Sequence, residues 1–298
     1  MDEILKLDTI SQFNTLRGIE TLHPLVSVVD FSKLKLIAQA RANYGFYCVF
    51  LKEAVCGDLK YGCKDYDYQE GTLVFIGPGQ VVGIGNKPGN PKPKGWGLLF
   101  HPDLIRGTSL GHNIKKYTFF SYDANEALHI SERERQTVMD CFDKISNELW
   151  QSIDKHSKTL IANNIELLLN YCMRFYDRQF ITRSDANRDI LAKFEQLLDN
   201  YFLSEMVHTA GLPTVKYCAD QLHLSPNYFG DLIKKETGKS ALENIQFKVM
   251  NIAKERIFER SKTLSEIAYE LGFKHPQHFS RMFKNETGKT PNEYRSLN

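Results

Sequence analysis

A fifteen-residue segment occurs twice near the end of the chain, and this repeat limits what the last third can fold into. The first copy, SPNYFGDLIKKETGK, covers residues 225–239, and the second, HPQHFSRMFKNETGK, covers residues 275–289. Pro226, Phe229, Lys234, Glu236, Thr237, Gly238 and Lys239 recur fifty positions on as Pro276, Phe279, Lys284, Glu286, Thr287, Gly288 and Lys289. An amphipathic run precedes each copy, residues 214–224 and 263–273, now offset by forty-nine. The one-residue slip falls where HLSP stands against GFKHP. An insertion there lengthens a turn and leaves the helices intact, so each unit reads helix, short turn, helix. Two copies are too few for a solenoid and describe a tandem of small modules.

The helix ends carry their own chemical markers. Ser225 is placed to cap the second helix of the first unit, with Pro226 at its first position, where a missing N–H costs nothing. His275 is a poorer cap, but Pro276 repeats the signal. Thr263 with Glu266, Ser240 with Glu243, and Thr290 with Glu293 each spell a capping box, the last with Pro291 at its first helical position. Gly238 and Gly288 stand where a left-handed C-terminal cap is needed. Between the modules, Leu242, Ile245, Val249, Ile252, Ala253 and Ile257 share one helical face, which predicts a single connecting helix.

From about residue 190 onward the chain resembles the DNA-binding domain of the AraC/XylS family of bacterial transcription regulators. The resemblance rests on the paired units, the connecting helix and the string LSEIAYELGFKHPQHFSRMFKNETGKTPNEYR. It implies seven helices and one monomer that places two helices in successive major grooves of double-stranded DNA, about 34 Å apart. The positions that would meet base edges are Asn227, Tyr228 and Asp231 in the first unit, and Gln277, His278, Ser280 and Arg281 in the second. In the family the positions matching Gln277 and Arg281 commonly touch bases; Gln suits adenine and Arg suits guanine. Lys234, Lys235, Lys284 and Lys289 suit phosphates, although lysines on a helix are by default a solvated face. Phe229, Leu232, Ile233, Phe279, Met282 and Phe283 read as core. For Tyr228, packing and DNA contact stand as equal alternatives. Asp231 occupies the place of Arg281; its carboxylate accepts from cytosine but repels phosphate.

Charge alone would not have suggested nucleic acid. From residue 214 onward there are 14 Lys and Arg against 10 acids, and the whole chain has a formal net charge of +2. Non-specific DNA compaction is therefore disfavoured, and positioned contacts must carry specificity. The first residues lack a signal-peptide pattern and no apolar run is long enough to span a bilayer, so a cytoplasmic protein with no membrane partner is expected. The six cysteines (Cys48, Cys56, Cys63, Cys141, Cys172 and Cys218) have no zinc spacing and read as reduced thiols.

Residues 22–120 read as β structure: HPLVSVVDFSKL, NYGFYCVFLKEAV, GTLVFIGPGQVVGI and KGWGLLFHPDLI are short apolar or alternating runs. KPGNPKPKG, residues 87–95, reads as an exposed loop. EGTLVFIGPGQVV is similar to the cupin-type strand and turn of the N-terminal domains of this regulator family. The fold class expected is α+β with two domains. A cupin-like antiparallel β-barrel, about 20–120, is followed by two amphipathic helices, about 131–180, and then by an all-α domain of two helix-turn-helix units joined by a connecting helix. His23 and His101, the strand-associated histidines, are far apart, so neither a metal, a cofactor nor an enzymatic role is expected; a cupin enzyme fused to a DNA-binding module is the disfavoured alternative. Phe46, Phe50, Trp96 and Phe100 are candidates for lining an effector pocket, with plain core packing as the competing reading.

From Ser131 the period becomes helical. Ser131 and Glu134 form a capping box; Val138, Cys141, Phe142, Ile145 and Leu149 share one face, and a second helix carries Leu160, Ile161, Ile165, Leu168, Leu169, Cys172 and Phe175. The two helices resemble the family's dimerisation helices. The layout expected is a sensing and dimerising domain over 1–181, a linker at 182–188 and the DNA-binding domain over 189–298. The function expected is sequence-specific transcription regulation as a homodimer, responding to a small-molecule effector, with RNA polymerase as a partner if the protein activates. A constitutive DNA binder without effector is the alternative.

Overall fold

The computed structural model describes residues 4–37, 40–53, 71–84, 94–123 and 126–296. The chain divides into two units, Met1–Arg183 and Ser184–Asn298. Cys56, Cys63 and the 87–93 part of the expected loop lie outside the described residues.

The first unit is β-rich. Its strands are β1 (Ile4–Leu7), β2 (Val26–Asp30), β3 (Ala40–Tyr44), β4 (Tyr47–Lys52), β5 (Gly71–Ile76), β6 (Val81–Ile84), β7 (Gly95–Phe100) and β8 (Leu128–Ile130). They form a three-stranded sheet, β1-β3-β6, and a five-stranded antiparallel sheet, β2-β7-β4-β5-β8. The expectation of one closed barrel is not met among the described residues, where the ladders end in two separate sheets. Leu7, Ala42 and Tyr44 from the small sheet share one buried cluster with Val29, Cys48, Ile76 and Leu99 from the large one.

A helix that the sequence reading passed over, α1 (Ile10–Arg17), closes this cluster with Ile10 and Phe13. Its ends are marked: Thr9 and Gln12 form a capping box, and Gly18 ends it at φ 70°. HPDLI, expected to continue a strand, turns into the short helix α2 (Pro102–Ile105), because the His101 ring accepts the Asp103 N–H and Pro102 opens the turn. A further short helix, α3 (Ser109–Asn113), follows.

The other face of the large sheet meets α4 (Glu132–Leu149) and α5 (Ser157–Thr182), close to the bounds expected, with the Ser131–Glu134 box in place. Phe75 of β5 packs on Tyr176 of α5, ring centroids 6.0 Å apart. Leu160, expected on the inner face of α5, is exposed instead. The junction with β8 is polar and buried. Gln179, 1% exposed, accepts the His129 N–H at 2.8 Å and donates to the Ala127 carbonyl at 3.2 Å. Arg178 donates to the His129 carbonyl at 2.7 Å and pairs with Glu134 at 2.9 Å. One helix thus supplies, from two adjacent side chains, the partners that a neighbouring strand would otherwise give β8.

The second unit is all helical: α6 (Ser184–Leu203), α7 (Met206–Ala210), α8 (Val215–Gln221), α9 (Pro226–Thr237), α10 (Ala241–Arg256), α11 (Leu264–Glu270), α12 (Pro276–Thr287) and α13 (Pro291–Arg295). Its described residues form eight helices where seven were expected; the extra one, α7, has five residues, too short to show a period. The expected linker is largely helix. Thr182 ends α5, Ser184 begins α6, and Asn187, 2% exposed, donates to Glu236 of α9 at 3.0 Å. A polar stretch without apolar period can still be helical when a polar residue finds a buried partner. On α10, Ile245, Val249, Ala253 and Ile257 are buried as expected, but Leu242 is 51% exposed and Met250 takes an inner place.

The helix-turn-helix turn requires a left-handed residue at its third corner. In the second module this is Gly272, φ 86°; in the first, His223 holds the same conformation at φ 56°. Gly272 also packs so closely on Gly211 that an added Cβ would lie 2.9 Å from the Gly211 carbonyl carbon.

Two outcomes follow. Replacing Gln179 by Leu orphans a buried N–H and a buried carbonyl, and thermal or urea unfolding should show a loss of at least about 2 kcal/mol. His223→Gly should raise the second unit's stability by about 1 kcal/mol by relieving left-handed strain, and calorimetry on the full chain reads it as a rise of a few degrees in Tm.

Candidate nucleic-acid interface

The second helix of each module is built with an inside and an outside. Pro226 and Pro276 open α9 and α12 at their first turns, and Ser225 caps α9 through the Tyr228 N–H at 3.3 Å. His275 makes no side-chain cap, so α12 starts on proline alone. Gly238 and Gly288 stop both helices in the left-handed region, at φ 73° and 75°. Serine and threonine capping boxes then start α10 and α13 two residues later.

Phe229, Leu232 and Ile233 on α9, and Phe279 and Phe283 on α12, are fully buried. Phe229 meets Phe194 of α6 edge to face at 5.1 Å, and Phe279 packs on Phe273 and Phe283 at 5.4 and 5.7 Å. Met282, also expected in the core, is half-buried against the same cluster. Spaced three and four apart, these anchors fix the rotation of each helix. The remaining side chains are turned outward by that rotation.

On α12 the outward set is Gln277, His278, Arg281 and Lys284, all exposed, with Ser280 half-buried beside them. The His275 and His278 rings pack edge to face at 5.4 Å at the start of the helix. On α9, Asn227, Lys234 and Lys235 are exposed and Asp231 is half-buried. Tyr228 is 5% exposed.

The candidate effector residues do not converge. Strand alternation sends Phe50 to the face that holds Phe46 and the two-sheet cluster. Trp96 and Phe100, paired with Leu51 and Tyr47, point from the opposite face. Phe100 stacks on Tyr47 at 4.9 Å and Phe50 meets Phe31 at 5.4 Å, so each is engaged in core packing. His23 and His101 use their ring nitrogens locally, as acceptors for the Leu25 and Asp103 N–H groups. Among the described residues no three His, Cys, Asp or Glu side chains are grouped to hold a metal. No described helix is long and apolar enough to cross a membrane. Burial pushes the thiols of Cys48, Cys141 and Cys172 above the usual range, and that of Cys218 up to about 11.

Residues 218–296 match a family model described as a helix-turn-helix domain. The second unit is an AraC-type helix-turn-helix domain. The chain is also similar to curated relatives. It is 38% identical over 85 residues to the transcriptional regulatory protein YesN of Bacillus subtilis, covering 28% of this chain and 23% of that protein. It is 36% identical over 83 residues to the HTH-type transcriptional regulator YobQ of the same organism, covering 28% and 34%. The match therefore spans no more than about a third of either relative. Among solved structures, the C-terminal domain of AraT, a response regulator from Geobacillus stearothermophilus, is 28% identical with a TM-score of 0.33, covering 37% of this chain and 85% of that one. ToxT from Vibrio cholerae is 12% identical with a TM-score of 0.30, covering 91% and 97%.

The two faces of α12 should separate cleanly in stability measurements. Phe279→Ala empties a buried site and should cost about 3–5 kcal/mol. Arg281→Ala, on the exposed face, should change unfolding free energy by no more than about 0.5 kcal/mol.

Proposed function

We propose that the protein is a sequence-specific transcription regulator that reads double-stranded DNA with α9 and α12. The observation that carries this reading is the outward face of α12. Gln277, His278 and Arg281 lie on consecutive turns, exposed, and held in place by buried Phe279 and Phe283. A helix so rotated enters a major groove with its first turns against base edges, and Lys284 further along meets phosphate. Asn227 and Asp231 take the corresponding places on α9, with Lys234 and Lys235 toward the backbone. The mild charge balance of residues 214–298, 14 basic against 10 acidic residues, favours readout by position over electrostatic attraction.

The first unit is proposed to sense a small molecule and to pair two copies of the chain. Two sheets facing across one apolar cluster support a cupin-like sensing role. Pairing is supported by α5, which leaves Leu160, Leu167 and Ile181 exposed at intervals of seven and fourteen residues, a single stripe on one side of the helix. RNA polymerase is a further partner if the protein activates. The protein is read as a regulator and not as an enzyme.

Selection of genomic fragments by the full-length protein at physiological salt tests the DNA reading. Two short boxes about one helical turn apart are expected; no enrichment at any salt would remove it. On the selected site Arg281→Ala should cost about 1–3 kcal/mol and relax one base position, whereas Lys284→Ala should weaken all sequences alike and lower the salt slope by about 1.

A further inference from the structure

Two positions of the repeat do different work in the two modules. The residue before the shared proline and the one three places on are Ser225 and Tyr228 in the first module, His275 and His278 in the second. In the first, the Ser225 Oγ accepts the Tyr228 N–H at 3.3 Å, and Tyr228 is 5% exposed. In the second, both histidines are exposed and His275 makes no side-chain cap. Its ring instead lies 5.4 Å from the His278 ring, centroid to centroid, with the planes 70° apart. The chain also reaches α12 by one extra residue. Leu224 and Ser225 separate left-handed His223 from Pro226, whereas Phe273, Lys274 and His275 separate left-handed Gly272 from Pro276. His275 is extended there, at φ −137° and ψ 120°, and its carbonyl accepts the His278 N–H at 2.9 Å. Backbone and ring both tie the two residues together.

A serine at position 275 would satisfy one of the first N–H groups of α12, which the histidine does not do. What the histidine supplies is a ring against His278. That residue is the third of α12, in the turn where a recognition helix meets base edges. An exposed side chain loses conformational freedom when it is fixed on a ligand, and one already held by a neighbour loses less. An edge-to-face partner at this separation provides such a hold. A held imidazole N–H has an acceptor in the N7 that purines show in the major groove.

We propose that His275 is a positioning residue for DNA reading: its ring holds the ring of His278, which donates to a purine N7 at one base pair of the box read by α12. The inference rests on the proposed role of α12 in reading DNA, and it gives that helix a base preference set by a ring pair that the first module does not contain.

Selection from a randomised double-stranded DNA library at physiological salt, with the full-length protein and its variants, tests it. The wild type should prefer a purine on one strand at a position of the α12 box distinct from the one that Arg281→Ala relaxes. His278→Ala should level that preference, and His275→Ser should reduce it by about three- to tenfold in relative affinity, the range expected from holding one side chain. His275→Phe, which keeps a ring beside His278 but no ring nitrogen, should retain it. In a His278→Ala background His275→Ser should change nothing further. Because serine is the better cap, His275→Ser should not lower Tm, so a lost preference there does not reflect unfolding. An unchanged preference in His275→Ser overturns the proposal. A loss in His275→Phe as large as in His275→Ser also overturns it, since His275 would then act through its own nitrogens. A motif relaxed by Arg281→Ala but by neither histidine variant removes this inference and leaves α12 as the DNA reader, whereas a wild type that enriches no motif removes that reading as well.

Discussion

The second unit depends on burial of the connecting helix α10 by both modules at once. Ala241 and Ile245 belong to its first half, which packs against α9, while Val249, Met250, Ala253 and Ile257 enter the cluster formed by Phe273, Phe279 and Phe283 with Tyr201 and Phe202 of α6. One rigid rod thus shares its core with both recognition helices, and neither helix can rotate without disturbing it. The last helix reinforces this end, as Arg295 donates to the carbonyls of Ile257 and Lys262 just beyond α10. The exposed faces of α9 and α12 inherit their placement from that core.

This part of the fold was legible because nearly every helix boundary is written in side chains. Capping boxes at Ser240, Thr263 and Thr290 and stop glycines at 238 and 288 all sit where they were read. The inner and outer faces of α12 were also legible, since apolar period alone separates Phe279 and Phe283 from Gln277 and Arg281. Tyr228 fits either role from sequence, because an amphipathic ring beside an anchor suits both sides of a helix. The left-handed His223 was hidden for a different reason: only the alignment with Gly272 betrays it, and the residue itself favours neither conformation.

The first unit was read less well, and the failures share a cause. Strand runs were found where β2, β4, β5 and β7 lie, but strand existence does not say how ladders connect, and two sheets stand in place of a ring. Four aromatic residues chosen by type scattered because alternate positions on a strand face opposite ways. At α1, Thr9, Gln12 and Gly18 carried the marks of a helix, but its inner face includes Asn14 and Arg17, so a count of apolar residues fell short. The boundary between the two units falls within residues 182–188, and helix there follows from buried Asn187 and its bond to Glu236, which a lack of apolar period does not reveal.

The side chains that α5 lends to β8 have a consequence for assembly. The outward-facing amide and carbonyl of His129, and the carbonyl of Ala127, are already occupied by Gln179 and Arg178. The large sheet therefore has no vacant hydrogen-bonding groups at that position to offer a strand from another molecule. Two copies cannot join by extending the sheet through β8; growth along this margin is closed, and a helical surface is left as the way for molecules to meet on this side of the unit.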